Sequence, residues 1–240
     1  ANRYQYVLQE GKNAGCGETD PWEYGISLGY NYINHSADFS STGNIISNGK
    51  FSDVYSSSFE FGLIAAYRID EKVNLMGRLN FMKYSGELIA PDSTFTSVRN
   101  PETGQLMPFK EAVRFGLEGV FTNIVLGVEY LLTNNFYVLG GMQFDIPISS
   151  SIKATKEIVT PPDYVYSNQS NTIDLGLNTL SSLNQVGISA NVGLGFRLNV
   201  YNSTQAFLET TVSQRLTNMV DDANWTVSVY GIRAGIRFPL

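Results

Sequence analysis

One alternation limits this chain more than any other feature. From Val186 to Val200, VGISANVGLGFRLNV, residues Val186, Ile188, Ala190, Val192, Leu194, Phe196, Leu198 and Val200 fall on one face. Gly187, Ser189, Asn191, Gly193, Gly195, Arg197 and Asn199 fall on the other. Successive side chains of a strand point to opposite faces, so period two means extended chain. The run is far longer than the roughly five or six residues usual in globular sheets. A turn over 201–204, YNST, reverses the chain. The returning strand sets Ala206, Leu208, Thr210 and Val212 against Gln205, Phe207, Glu209, Thr211, Ser213 and Arg215.

The same pattern recurs along the chain. WEYGISLGYNYIN from Trp22, FEFGLIAAYR from Phe59 and VNLMGRLNFMKY from Val73 all alternate. So do the stretch from Val113 to Leu132, FYVLGGMQFDI from Phe136 and WTVSVYGIRAGIRFPL from Trp225. With the hairpin above, eight strands are expected. The phase blurs near Thr122, which predicts a β-bulge there. Short turns fall at 69–71, 133–135 and 201–204, and long polar connections at 35–56, 86–112 and 148–184. Pro91, Pro101 and Pro108 argue against strand within 86–112. One helical turn is predicted around 175–183. Residues 1–21 keep no clear period and are expected to form a leader on the periplasmic side, ahead of a barrel over 22–240. The start, ANRYQYVLQ, has neither a basic n-region nor an apolar h-region, which fits a chain whose signal segment has been removed.

Composition decides what the two faces meet. Charged residues make up 16% of the chain, against roughly a quarter in soluble domains. The net charge of -6 and the lack of a basic run exclude a nucleic-acid partner. No apolar run approaches the length of a membrane helix. One face of every strand is nearly free of charge and carries Tyr24, Tyr67, Tyr130, Phe136 and Phe238 near its ends, as an interfacial aromatic girdle requires. The other holds glycines and arginines, which would make a poor apolar core but suit a narrow polar interior. A soluble barrel would need the reverse. Only closed barrels let strands cross a bilayer, because every backbone group must be paired. The expectation is an all-β, eight-stranded antiparallel up-and-down transmembrane β-barrel with long outer loops and short periplasmic turns. By the same inward reading, Leu194→Arg should block insertion or destabilise the barrel, and Gly193→Ser should be tolerated better.

At this level the chain resembles the small OmpA-like outer-membrane barrels, in the form found among Bacteroidota-related bacteria. The resemblance covers Trp22 to Leu240 and rests on strand number, turn-loop asymmetry and the closing strand YGIRAGIRFPL. It implies that Tyr230, Ile232, Ile236 and Phe238 form the insertion signal read by the barrel-insertion machinery, although Leu240 rather than an aromatic stands last. It implies a place in the outer membrane of a diderm bacterium. Outer-membrane lipid and other envelope proteins, met through loops or the leader, are the implied partners.

The inward charges are the candidates for a site. Arg78, Glu129, Arg197, Glu209, Arg233 and Arg237 all lie near the short-turn end, where they are expected to form a salt-bridge network plugging the lumen. Eight strands leave room for side chains only. The excess of arginine should draw in Asp145, Glu60 or bound anions, or leave Arg237 reaching periplasmic water. The function expected is that of a structural or interaction barrel; a small pore or transporter is the alternative, and a lipid hydrolase a third. For the last, His35, Ser36 and Asp38 lie together, but nearness in sequence is not triad geometry, and an exposed loop histidine is expected. No enzyme activity, cofactor or metal is expected, since no phosphate loop, CxxC pair or metal spacing occurs. Cys16 is read as a lone thiol, with Asn13–Cys16 loosely similar to a lipoprotein site, and Asp92-Ser93-Thr94 resembles an O-glycosylation signal. Asp20, Asp92, Asp221 and Asp222 are read as solvated loop acids.

Overall fold

A computed structural model describes residues 21–38, 50–89, 96–100, 103–175, 186–201, 204–220 and 224–239. Eight long strands carry the fold: β1 (Trp22–Asp38), β2 (Lys50–Arg68), β3 (Val73–Ile89), β5 (Leu106–Leu131), β6 (Phe136–Thr160), β8 (Gly187–Tyr201), β9 (Thr204–Arg215) and β10 (Asn224–Pro239). Two short strands, β4 (Thr96–Arg99) and β7 (Thr172–Asp174), pair onto β5 and β6. All pairings are antiparallel. The order β5-β3-β2-β1-β10-β9-β8-β6 closes on itself through the β5–β6 pairing. Closure removes the free edges that an open sheet would expose.

Burial follows the alternation. In β1, Trp22, Tyr24, Ile26, Leu28, Tyr30 and Tyr32 face out, while Glu23, Gly25, Ser27, Gly29, Asn31, Ile33 and His35 face in. Leu28 is 68% exposed and Leu194 61%, as a lipid-facing wall requires. Aromatics ring the short-turn end: Trp22 packs edge-on against Tyr67 at 4.9 Å, and Phe136 lies 4.9 Å from Phe196. A second ring stands higher, with Tyr30 on Phe59 at 5.4 Å and Tyr32 stacked on Tyr55 at 5.1 Å. Tyr24 and Tyr32 are eight residues apart on one strand. At about 3.3 Å per residue and about 40° of tilt, that spans roughly 20 Å, most of the roughly 25 Å apolar band of such a barrel.

The strands outrun the expected loop boundaries on the long-loop side. Residues 35–38 pair with 50–54, 86–89 with 114–117, and β6 continues to Thr160. Polar composition suggested loops there. Cross-strand pairing overrides it, because a polar hairpin above the membrane has water on its outer face. Pro108 sits inside β5, but in the part paired with β4 alone, before the β6 ladder begins at Lys110. The bulge predicted near Thr122 belongs to the facing strand. Val120 pairs with Ser149 and Phe121 with Pro147, leaving Ile148 as the extra residue in β6. Burial changes phase across it, from Asp145 to Ala154 and Ile158. Gly193 is tighter than alternation suggests: an added Cβ would lie 2.9 Å from Thr211 Cγ2 and 3.2 Å from Leu139 Cγ, so Gly193→Ser is not benign. The leader over 1–20, Cys16, the helical turn at 176–183 and the acids Asp20, Asp92, Asp221 and Asp222 lie outside the described residues. So does Asp92-Ser93-Thr94.

The interior is layered rather than uniformly polar. Toward the short turns it is charged. A middle band of Ser27, Asn31, Asn80, Asn123 and Asn191 is polar. Toward the long loops it is apolar, with Ile33, Met82, Leu88, Phe115, Leu117, Phe121, Val220 and Trp225 in one packed cluster. The expectation of a wholly polar lumen therefore fails in its outer half.

Candidate functional site: the charged lumen

Six ionised side chains from five strands meet across the lower lumen. Arg78 from β3 makes a two-pronged contact with Glu209 from β9, both N–H···O distances being 2.5 Å. Arg237 from β10 does the same to Glu129 from β5, at 2.7 and 2.5 Å. Arg237 also reaches Glu209 at 3.2 Å, and Arg78 lies 3.8 Å from Glu129. Arg233, two inward positions before Arg237 on β10, donates to Glu60 on β2 and stands 3.7 Å from Glu209. Tyr137 on β6 donates its hydroxyl to Glu209 at 2.6 Å. Asn31 and Asn74 donate to Glu60 and Glu129 at 3.0 and 3.4 Å.

The set is neutral: Arg78, Arg233 and Arg237 against Glu60, Glu129 and Glu209. All six are buried, Arg237 to 2% exposure, so it does not reach periplasmic water. The arginine excess inferred from sequence is resolved by bringing in Glu60 and leaving Arg197 out. Arg197 is only half-buried, and its Nε donates to the Asn134 carbonyl at 3.4 Å in the turn below. It lies at the end of β8, where the turn carbonyls rather than the carboxylates are within reach. Asp145 takes a separate partner higher in the barrel. It lies 3.7 Å from Arg215 and accepts from Ser189 at 2.9 Å and from Gln143 at 2.6 Å.

Side chains this long fit because of gaps opposite them. A Cβ at Gly29 would stand 2.7 Å from Glu60 Cγ, and one at Gly195 would collide with the Tyr137 ring. Rings complete the packing, Phe207 beneath Arg237 at 4.9 Å and Arg78 at 5.9 Å. Phe207 is the residue that charge counting missed. Its signal was an aromatic on the inward face of β9, among Glu209, Thr211 and Arg215.

His35 is not an exposed loop residue. It is 1% exposed, at the top of β1 inside the apolar half. Tyr84 on β3 sits 2.6 Å from its Nε2, Ser56 on β2 lies 3.2 Å from the same nitrogen, and the Trp225 indole on β10 donates to Nδ1 at 3.2 Å. Ser36 is exposed on the opposite face, as alternation demands, so the structure does not bring His35 and Ser36 together. Between the two halves lies a void of about 30 Å³, lined by Asp145, Arg215 and Ser213 below and by Tyr84, Phe121 and Met219 above. It has room for about one water molecule. Among the described residues no group of three or more His, Cys, Asp or Glu could hold a metal ion. Tyr230, Ile232, Ile236 and Phe238 all point outward from the closing strand, paired with β1 and β9.

The chain matches no protein-family model and no curated protein sequence. Several solved structures resemble it. The attachment invasion locus protein Ail of Yersinia pestis is 14% identical, covering 90% of this chain and 98% of its own, with a TM-score of 0.40. Neisserial surface protein A is 10% identical over 90% of this chain and 97% of its own, at 0.39. OprG of Pseudomonas aeruginosa is 13% identical over 92% and 97%, at 0.37. The barrel's own surfaces show what it is. A closed antiparallel barrel with an apolar wall between aromatic rings and charges inside is a transmembrane β-barrel of the outer-membrane type.

Proposed function

We propose that this protein is a non-conducting outer-membrane barrel of the OmpA-like type, which works as a scaffold and contact surface rather than as a pore or an enzyme. One observation supports this reading above the others. The neutral set of three arginines and three glutamates spans the lumen, and a packed apolar layer lies on top of it. An ion crossing this barrel would have to part bidentate Arg–carboxylate contacts in a water-poor interior, where a charge without its partner is costly. What remains for function is the exterior: the lipid-facing wall, the insertion signal over Tyr230–Phe238, and the strand extensions beyond the membrane. There Arg114 is held by Glu157 at 2.6 Å and Lys156 by Glu111 at 2.5 Å. Tyr166 donates to Glu111 at 2.8 Å; burial and then that carboxylate push its phenol above the ordinary value. These contacts give the extension a defined surface for other envelope proteins. Planar-bilayer recording of the full chain tests the proposal. No steady single-channel current is expected, and a large, stable conductance would replace the scaffold with the pore.

A further inference from the structure

The barrel wall is not hydrogen-bonded to its top. The β2–β3 ladder stops at Glu60 and Met82. Beyond that level β2 pairs on toward Lys50 with β1, and β3 pairs on toward Ile89 with β5, but among the described residues β2 and β3 no longer pair with each other. The strands stay close. A Cβ on Gly86 would lie 3.4 Å from Ser56 Cβ and 3.3 Å from the His35 ring. Side chains, His35 with Ser56 and Tyr84, therefore close from inside a seam that the backbone leaves open.

The outer side of this seam is a groove. Tyr55, Ser57, Ser85, Glu87, Gly116 and Glu118 line it. A neighbouring dent shares Glu118 and adds Lys83, Ser149 and Ser151, the two serines turned outward by the β6 bulge. The seam begins where Tyr30 meets Phe59 and rises past the Tyr32–Tyr55 stack, so the groove sits at the outer aromatic ring. That is the depth of lipid headgroups, not of acyl chains. Everything on offer there suits a ligand rich in hydroxyls. Backbone N–H and C=O groups along the seam have no ladder partner and are open to water or to a ligand. Serine hydroxyls both donate and accept, carboxylates accept, and the Tyr55 ring provides a flat apolar face. Glu87 is only partly engaged, by Arg114 at 3.4 Å.

We propose that the groove over the β2–β3 seam binds the sugar headgroup of a glycolipid in the outer leaflet. The sugar completes the hydrogen bonding that the interrupted ladder leaves open, and the acyl chains lie along the apolar wall below. Lys83 faces any phosphate the headgroup carries. The exposed ends of the wall are then sealed by lipid rather than by protein.

The test uses the full chain reconstituted in phosphatidylethanolamine vesicles containing minor fractions of lipopolysaccharide and phosphatidylglycerol. Lipid retained per barrel after mild detergent extraction is measured by mass spectrometry. Gly116 faces outward, and a Cβ there meets nothing nearer than the Lys153 carbonyl at 4.0 Å, so Gly116→Trp fills the groove without crowding the backbone. Lipopolysaccharide retention should fall about tenfold in Gly116→Trp and severalfold in Glu118→Gln, the scale of one or two lost hydrogen bonds. Leu216→Trp, on the far side of the outer rim, should leave it unchanged. Heat-modifiability on a gel reports folding, and Glu118→Gln keeps the test open if Gly116→Trp fails to fold. Unchanged retention in the folded groove variants overturns the proposal. So does equal loss in Leu216→Trp, equal enrichment of phosphatidylglycerol, or full displacement by the free core oligosaccharide, which would make the ligand a soluble sugar.

Discussion

The two halves of the lumen fill the same narrow barrel by opposite means. Below, Arg78, Arg237, Glu129 and Glu209 close the space with charge and directional contacts. Above, Leu88, Leu117, Phe115 and Trp225 close it with dispersion and shape. The lower half is unforgiving of single changes, because removing one ion strands its partner in a place without water. The upper half degrades by degrees, each lost methylene leaving a void of its own size. His35 belongs to neither scheme. It is a polar side chain inside the apolar half, its ring nitrogens held by Tyr84, Ser56 and Trp225.

The sharpest way to break this contrast is Glu209→Ala. It leaves Arg78 with Glu129 alone, at 3.8 Å, in place of its two-pronged contact, takes the acceptor from Tyr137, and should cost about 3–5 kcal/mol. Urea titration of the barrel in detergent or liposomes reads the loss, and bilayer recording should show intermittent current that wild type lacks. Full stability in this variant would mean that the charges are ornamental. On the outside, Leu194→Arg at the exposed lipid face should cost about 2–4 kcal/mol in a liposome-folding titration. Insertion as efficient as wild type would invert the face assignment.

Leu117→Ala tests the upper half. It should cost about 2–4 kcal/mol, yet leave the membrane as tight as before, because the charged layer below is untouched. If Leu117→Ala leaks and Glu209→Ala does not, the seal lies in the wrong half. His35→Phe should lose about 1–3 kcal/mol, leaving the Trp225 indole without its acceptor and the Tyr84 hydroxyl without its ring partner. The smallest effect expected is from the double change Glu60→Leu with Arg233→Met. Replacing a buried pair together should stay within about 1 kcal/mol of wild type, while either change alone should not. A double change that costs the sum of the two singles would show that Arg233 owes its place to Glu209 rather than to Glu60.

Much of this barrel was legible in its sequence because period two survives any register. Val186–Val200 declares its faces without help from a partner strand. The strand ends were less legible, since residues 50–56 and 149–160 are polar and their pairing is set by neighbours distant in the chain. The bulge was sensed at the right height but on the wrong strand, because an extra residue shows only as a phase change and Pro147 hid it. Inward charge was legible residue by residue, but not its pairing: Arg197 and Glu60 differ by reach across the barrel, which no spacing along one strand encodes. His35 was misjudged because Asn, Ser and Asp around it imitate a loop, while its buried partners Tyr84 and Trp225 lie far away in the chain.

The charged set also bears on how the barrel is born. Its members come from β2, β3, β5, β9 and β10, and two of the three arginines ride on the last strand. A growing sheet that lacks β10 holds the carboxylates of Glu60, Glu129 and Glu209 with Arg78 alone to answer them. The sheet that runs as far as β9 keeps two carboxylates of this set in excess until the final strand docks beside the first. Closure of the ring thus restores the balance of charge, which favours the state in which every strand has arrived.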